Sequence, residues 1–217
     1  TIVKGALQEL ARKLTNLEFS FEILVAENGS SDGTPAILAA LSKEDKRIIT
    51  INLPQPNYGL ALKEGILQAR GKYVICDEID LGDIDFYQRA LQILKPGDYH
   101  LVIGSKMLPG SQDSRPFKRH FATWTINTLL RIFLGFEGTD THGLKAFNRK
   151  AILPVVNMCQ VDKDLFASEM VIRSQKMEVP WREIPIKIEE KRPPSIDLVH
   201  RVPNVLHNLV KLIKIFR

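Results

Sequence analysis

Cysteine is scarce in this chain: Cys76 and Cys159 are the two thiols among 217 residues. They make neither a disulfide framework nor a metal-ligand pair, which excludes the disulfide-stapled secreted classes and points to a reducing, cytosolic setting. Long hydrophobic runs are missing too; no apolar stretch approaches the roughly 20 residues that span a bilayer. No signal peptide is visible, because the opening TIVKGALQELARKL reads as an amphipathic helix with basic residues on its polar side. Basic residues are not interleaved with stacking aromatics and no nucleic-acid motif occurs, so no nucleic-acid partner is expected. Repeats and low-complexity tracts are absent. What is present is globular in kind, 44% hydrophobic and 25% charged, and of a length for one large domain or a domain with a small appendage. Lys and Arg total 30 against 25 acids, a net charge of +5 that favours phosphates or anionic lipids as partners. The charge is unevenly placed. The acids are somewhat denser before residue 90, whereas SRPFKRHF (114–121) and the stretch from Lys187 to Arg217 are basic.

Hydrophobic periodicity alternates between strand and helix spacing, the pattern of an α/β protein. Helices are expected at about 2–15, 33–44, 60–70 and 85–95, with strands at 21–28, 48–53, 73–78 and 100–106 between them. The second half is less regular. A basic, Pro-containing loop (107–117) leads to an apolar helix at about 119–135, a short strand LKAFN (144–148), and helices near 150–158 and 164–176. An extended VPWREIPIKIEE (179–190), a KRPPS turn and a terminal helix (about 203–216) follow. A doubly wound sheet normally opens with a strand, yet this chain opens with the helix that would come after one.

Four strand ends in order carry polar or glycine residues: ENGSSDGT (27–34), QPNYGLALKEG (55–65), CDEIDLGD (76–83) and GSK (104–106). In open α/β sheets such ends converge with helix N-termini and form phosphate and nucleotide sites. The third holds four carboxylates within seven residues, Asp77, Glu78, Asp80 and Asp83. Like charge gathered where a core strand emerges is either a solvated cap or a shared cation site. Strand alternation sends Glu78 and Asp80 to one side and Asp77 to the other, which marks Asp77 and Asp83 as structural or supporting.

Across residues 15–192 these motifs resemble the family 2 glycosyltransferases, the inverting GT-A enzymes. ENGSSDGT is similar to their Asp-Asp-Gly-Ser-x-Asp-Gly-Thr turn. NYGLALKEGI with ARGKYVICDEIDL resembles their Asn-x-Gly…Ala-x-Gly-x-Tyr…Asp-x-Asp-Leu progression. VIGSK and GTDTHGLKAFNR resemble two later segments. The branch most resembled is that of dolichyl-phosphate-mannose-synthase-like enzymes, which move sugar from a nucleotide donor to a polyprenyl phosphate.

The resemblance implies an α/β GT-A fold with a Rossmann-like, mostly parallel sheet flanked by helices, lacking the family's first strand. It divides the chain into a GT-A domain (1–190) and a basic amphipathic helix (191–217). The nucleotide half ends at about 106 and the acceptor half runs from about 107 to 190. Glu78 and Asp80 occupy the Asp-x-Asp positions and would bind Mg²⁺ or Mn²⁺, hard cations suited to carboxylates. With Arg119 they would be the catalytic set. Glu27, Asn28, Asp32, Gly59, Lys106 and Arg192 fall at donor-binding positions. Arg115, Lys118, Asp140, His142 and Glu169 fall on the acceptor side.

Four positions depart from the family pattern: Glu78 and Asn28 replace Asp, Lys106 replaces Arg, and His142 replaces Ser or Thr. The Asn57–Gly65 loop is also shorter. The implied reaction is metal-dependent transfer from a GDP- or UDP-linked sugar to polyprenyl phosphate, at the cytoplasmic face of a membrane. The rival readings are a sugar or protein hydroxyl acceptor, for which Asp164 would be a candidate base, and an inactive nucleotide-sugar-binding module. For the phosphate reading, the apolar helices 119–135 and 205–217 supply a surface, the latter through Leu206, Leu209, Val210, Ile213 and Phe216.

Overall fold

The computed structural model describes residues 2–17, 19–79, 81–188 and 198–216, with only the backbone described for 198–202. Helix α1 (Ile2–Thr15) buries Leu7 and Ala11, one turn apart, as its amphipathic pattern predicts. Strand β1 (Ile23–Glu27), helix α2 (Thr34–Glu44) and strand β2 (Ile48–Asn52) form a βαβ unit whose strands pair in parallel, Ile23 opposite Ile48. Pro35 in the first turn of α2 costs nothing there, since an amide in that turn has no intrahelical partner. Helix α3 (Tyr58–Gln68) starts at Asn57, whose side chain accepts from Leu60 N.

Strand β3 (Tyr73–Cys76) leads through the acidic turn to α4 (Ile84–Leu94), capped by Asp83 on Phe86 N. Strand β4 (Leu101–Ser105) precedes a short β5 (Gln112–Asp113) and α5 (Phe117–Leu134). Gly135 ends α5 in the left-handed conformation that glycine tolerates best. Strand β6 (Lys145–Asn148), helices α6 (Arg149–Met158) and α7 (Phe166–Lys176), strands β7 (Trp181–Pro185) and β8 (Lys187–Ile188), and α8 (Leu198–Phe216) complete the order.

The expected fold class holds, but the sheet is divided and mixed. β1 and β2 stand as a two-stranded sheet, while β3-β6-β4-β7 form a separate four-stranded one. β6 lies antiparallel to both β3 and β4, while β7 runs parallel to β4. The chain enters β6 from the end at which β3 and β4 leave, so it must run against them. The four polar strand ends are therefore shared between two sheets, with β6 between the third and the fourth. The small β5, paired with β8, was not foreseen in the 107–117 loop. A two-residue strand leaves too little alternation to detect.

The main core joins α3, α5, α6, α7 and α8 against one face of the four-stranded sheet, with Phe147, Phe166, Ile152, Leu130 and Leu212 among its buried members. A second cluster sets Phe86 and Leu94 of α4 against Val102, Ala146 and Ile184 on the opposite face. A third packs α1 and α2 on β1 and β2. Leu10 and Leu14 of α1 touch both the second and third clusters, so this helix spans the two sheets.

Terminal helix α8 buries Leu209 and Leu212 and leaves Leu206 and Val210 about half exposed. The face expected to be apolar is thus split between the core and solvent. No helix among the described residues is long and apolar enough to cross a membrane.

Candidate active site

At the β1 end, the Glu27 carboxylate is buried and accepts from Gly29 N (3.1 Å) and Ser30 N (2.6 Å), folding the turn back on itself. Asn28 Oδ1 accepts from Asn57 N at 2.5 Å, tying this turn to the start of α3. Gly29 has φ +69° and packs so close to the Gln55–Pro56 backbone that a Cβ would come within 2.8 Å of it. Asp32, exposed, accepts from Thr34 N at 2.9 Å, and this bond with the Thr34 side chain holds its carboxyl below the usual range. Gly59 is buried, and a Cβ there would lie 2.5–2.6 Å from the carbonyl oxygens of Lys163 and Asp162. It is glycine because the 162–164 loop crosses directly over it.

In the acidic turn the two sides separate as strand alternation predicts. Asp77 faces α4 and accepts from Tyr87 Oη (2.5 Å), Glu78 N (2.6 Å) and Asp83 N (3.4 Å). Burial pushes it up to about 6, against the opposing pull of those three donors. Glu78, by contrast, is exposed. Asp80 lies outside the described residues.

Among the described residues no three His, Cys, Asp or Glu side chains form a closed metal cage. An exposed carboxylate at a strand end instead fits a hard cation of the Mg²⁺ type, which takes one or two carboxylates and completes its shell with water and phosphate oxygens. Glu78, with Asp80 two residues on, would hold it.

At the ends of β4 and β6, charge is buried. Lys106 Nζ lies 2.6 Å from Asp140 Oδ2, with the two side chains 7% and 0% exposed. Asp140 also accepts from Lys106 N (3.2 Å) and His142 N (2.9 Å). Burial alone would raise its pKa, but the Lys106 ammonium and the His142 amide overcome that and hold it at about 2. Glu183 of β7 braces the approach, accepting from Thr139 N, Thr139 Oγ1 and Asp140 N. Gly104 and Gly143 meet here; a Cβ on Gly143 would fall 1.6 Å from Gly104 O.

His142 Nδ1 contacts Thr141 Oγ1 and its Nε2 contacts Asp164 O at 3.2 Å. The 162–164 loop therefore touches both Gly59 of the first half and His142 of the second. A continuous chain of contacts runs from Asn28 through Asn57, Gly59 and that loop to His142, Asp140 and Lys106.

The remaining sequence candidates separate. Arg115 forms a buried bidentate pair with Asp113, 2.7 Å at its shortest, so its charge is matched internally rather than offered to an acceptor. Lys118 is exposed on the first turn of α5, with Arg119 half-buried beside it. Glu169 is turned inward: fully buried, it accepts from Gln160 N, Val161 N and Arg173 Nη2 (2.6 Å). Arg192 lies outside the described residues.

Sequence reasoning missed Lys145, Tyr87 and Glu183. Lys145 left one signal. It shares a strand face with Phe147, where a core side chain is expected.

Residues 3–155 match the profile of Glycosyl transferase family 2. The chain belongs to this family. Glycosyltransferase AglD of Haloferax volcanii is 30% identical over 186 residues, covering 84% of this chain and 30% of that protein. A dolichyl-phosphate beta-glucosyltransferase of Dictyostelium discoideum is 25% identical over 195 residues, covering 85% of this chain and 59% of its own. The family 2 chain thus spans under a third of the first relative and about three-fifths of the second. Among solved structures, glucosyl-3-phosphoglycerate synthase from Mycobacterium tuberculosis with Mn²⁺, uridine diphosphate and phosphoglyceric acid aligns at TM-score 0.63. That match is 16% identical and covers 96% of this chain and 72% of that one. It establishes the shared GT-A fold.

Proposed function

We propose that this chain transfers a sugar, with inversion, from a nucleoside diphosphate sugar to a polyprenyl phosphate. The observation that carries the choice of acceptor is Glu169. A hydroxyl acceptor has a pKa far above neutrality and benefits from a positioned carboxylate base. The carboxylate on α7 is instead consumed by two backbone amides and Arg173. A phosphate monoester is ionised near neutrality and needs no base, only cations and an apolar surface for its tail.

Lys118 and Arg119 at the start of α5 are the candidate cations. The tail surface is the strip of Phe117, Phe121 and Trp124 on the same helix, 81%, 57% and 51% exposed. These side chains sit one turn apart, and Phe121 and Trp124 stack at 5.9 Å. Aromatic side chains beside basic ones suit a membrane interface, which would deliver the acceptor to this edge of the molecule. Relatives named as dolichyl-phosphate beta-glucosyltransferases support the same reading.

On the donor side, Asn28 can meet a base edge with acceptor and donors alike. Glu78 and Asp80 would hold a divalent cation, which takes up charge on the departing nucleoside diphosphate. The structural neighbours crystallised with Mn²⁺ or Mg²⁺ and uridine diphosphate support that assignment. Lys106 and Asp140 present a fixed, water-poor charge pair beside the reacting centre.

A donor screen with Mn²⁺ and Mg²⁺, with and without a short-chain polyprenyl phosphate, tests the proposal. The expected outcome is lipid-linked sugar formed only with metal, and metal-dependent donor binding lost in Asp80→Ala. Glycosylation of a simple sugar that vanishes in Asp164→Asn, with no product on lipid phosphate, would overturn it.

A further inference from the structure

Lys145 opens β6 opposite Cys76 of β3 and Ile103 of β4, and the residue is 3% exposed. Its ammonium donates to Gly143 O at 2.8 Å. No carboxylate pairs with it among the described residues. The one buried carboxylate of this cluster, Asp140, is held by Lys106 Nζ and by the amides of Lys106 and His142. Two buried ammonium groups thus share one negative charge. Exposed Glu78 acts on Lys145 from the end of β3, but Glu78 and Asp80 are the pair nominated for a divalent cation. With that cation bound, their charge is balanced and the surplus on the two lysines remains.

Desolvating an ammonium without a full counter-charge costs several kcal/mol. Burial accordingly pulls Lys145 down to about 8, against the raising influence of Cys76 and Asp140. A protein gains nothing in stability from such a group. Where one persists at strand ends, next to an exposed carboxylate and a loop that bridges both halves of the site, the missing charge belongs to a ligand.

We propose that Lys145, with Lys106, forms a cationic floor for a phosphoryl group bound at the ends of β3, β4 and β6. Lys145 is a positioning residue here, acting from beneath the ligand. The phosphoryl group belongs either to the donor diphosphate or to the acceptor phosphate. The choice between these two rests on the proposed function; the surplus charge does not.

The test compares wild type, Lys145→Met and Lys145→Arg by calorimetric titration with inorganic pyrophosphate, uridine and guanosine diphosphates, and a short-chain polyprenyl phosphate, each with and without Mn²⁺. Lys145→Met should weaken at least one of these by about tenfold or more, equivalent to about 1.4 kcal/mol. It should also melt at or above the wild-type temperature without ligand, because an unbalanced buried charge has been removed. Lys145→Arg should recover most of the affinity. Weakening confined to pyrophosphate and the nucleotides assigns the floor to the donor; weakening confined to the lipid phosphate assigns it to the acceptor.

Unchanged affinity for every ligand, or a lowered melting temperature without loss of affinity, overturns the proposal. Should Lys145→Met fail to fold, wild type decides through the ¹³Cε resonance of Lys145. Its titration should move to higher pH on saturation with the ligand that binds, and an unmoved titration overturns the proposal. None of these readouts needs sugar transfer, so a failed transfer assay refutes the functional reading without touching this one.

Discussion

The two sheets hold their strand-end residues in opposite ways. In the β1–β2 half the polar groups bond mainly to nearby backbone: Glu27 to the amides of residues 29 and 30, and Asp32 to that of residue 34. Asn28 reaches further, to Asn57. In the four-stranded half Asp77 also bonds locally, but Lys106 with Asp140 and Glu183 with Thr139 join residues distant in sequence, and the Lys106–Asp140 pair is buried. The strands differ likewise. All five residues of β4 are buried, whereas all four of β3, which pairs on one edge only, are partly exposed.

Local caps on an open sheet can adjust to a base. Buried charges braced from three strands can present a fixed field to a reacting phosphate.

Removing a buried carboxylate should separate the halves most sharply. Asp140→Ala strands two lysines and should cost about 3–5 kcal/mol by urea denaturation. Asp32→Ala, its counterpart in the first half, should cost about 1 kcal/mol or less. Equal costs would break the comparison. Next in size, Gly143→Ala drives a methyl group into Gly104 O and should cost about 3 kcal/mol, whereas Gly33→Ala meets nothing within 4 Å and should be close to neutral.

Asp77→Ala leaves Tyr87 Oη and the amides of Glu78 and Asp83 without their acceptor, for a loss of about 1–3 kcal/mol. Metal-dependent donor binding should survive it, because Asp77 faces α4. Loss of that binding in a folded Asp77→Ala protein would move Asp77 into the cation site.

A further set of effects lies in pH dependence. Asp140 titrates at about 2 when folded against 3.8 ordinarily, so its stabilisation is complete above the ordinary value and is lost as pH falls toward 2. Lys145 titrates at about 8 against 10.5. Between these values the unfolded chain binds the extra proton, so stability should rise with pH from about 8 toward 10.5. Urea midpoints across this range should climb in wild type and flatten in Lys145→Met.

How much of this was legible in the sequence follows the same division. Short-range features were readable. The supporting place of Asp83, the opposed sides of Asp77 and Glu78, and the helices flanking each strand all follow from periodicity and alternation. Glu169 and Arg173 stand four residues apart, the spacing at which opposite charges meet on a helix, and the structure pairs them.

Long-range features were not readable. Nothing local says that β6 inserts antiparallel between β3 and β4. The proximity of Lys106 to Asp140, and the surplus charge on Lys145, depend on that insertion. The buried Arg115–Asp113 pair was missed for a different reason. Its partners are two residues apart, but only the β5–β8 pairing holds that segment where both groups are buried.

The central claim is a base-free transfer to an ionised acceptor. It is tested most directly by mass spectrometry of products, with one donor sugar offered short-chain polyprenyl phosphate and a simple sugar alcohol together in the presence of Mn²⁺. The account predicts sugar on the lipid phosphate alone, at a rate that Asp164→Asn leaves largely intact. Sugar on the alcohol, abolished by that substitution and accompanied by no lipid-linked product, would contradict it.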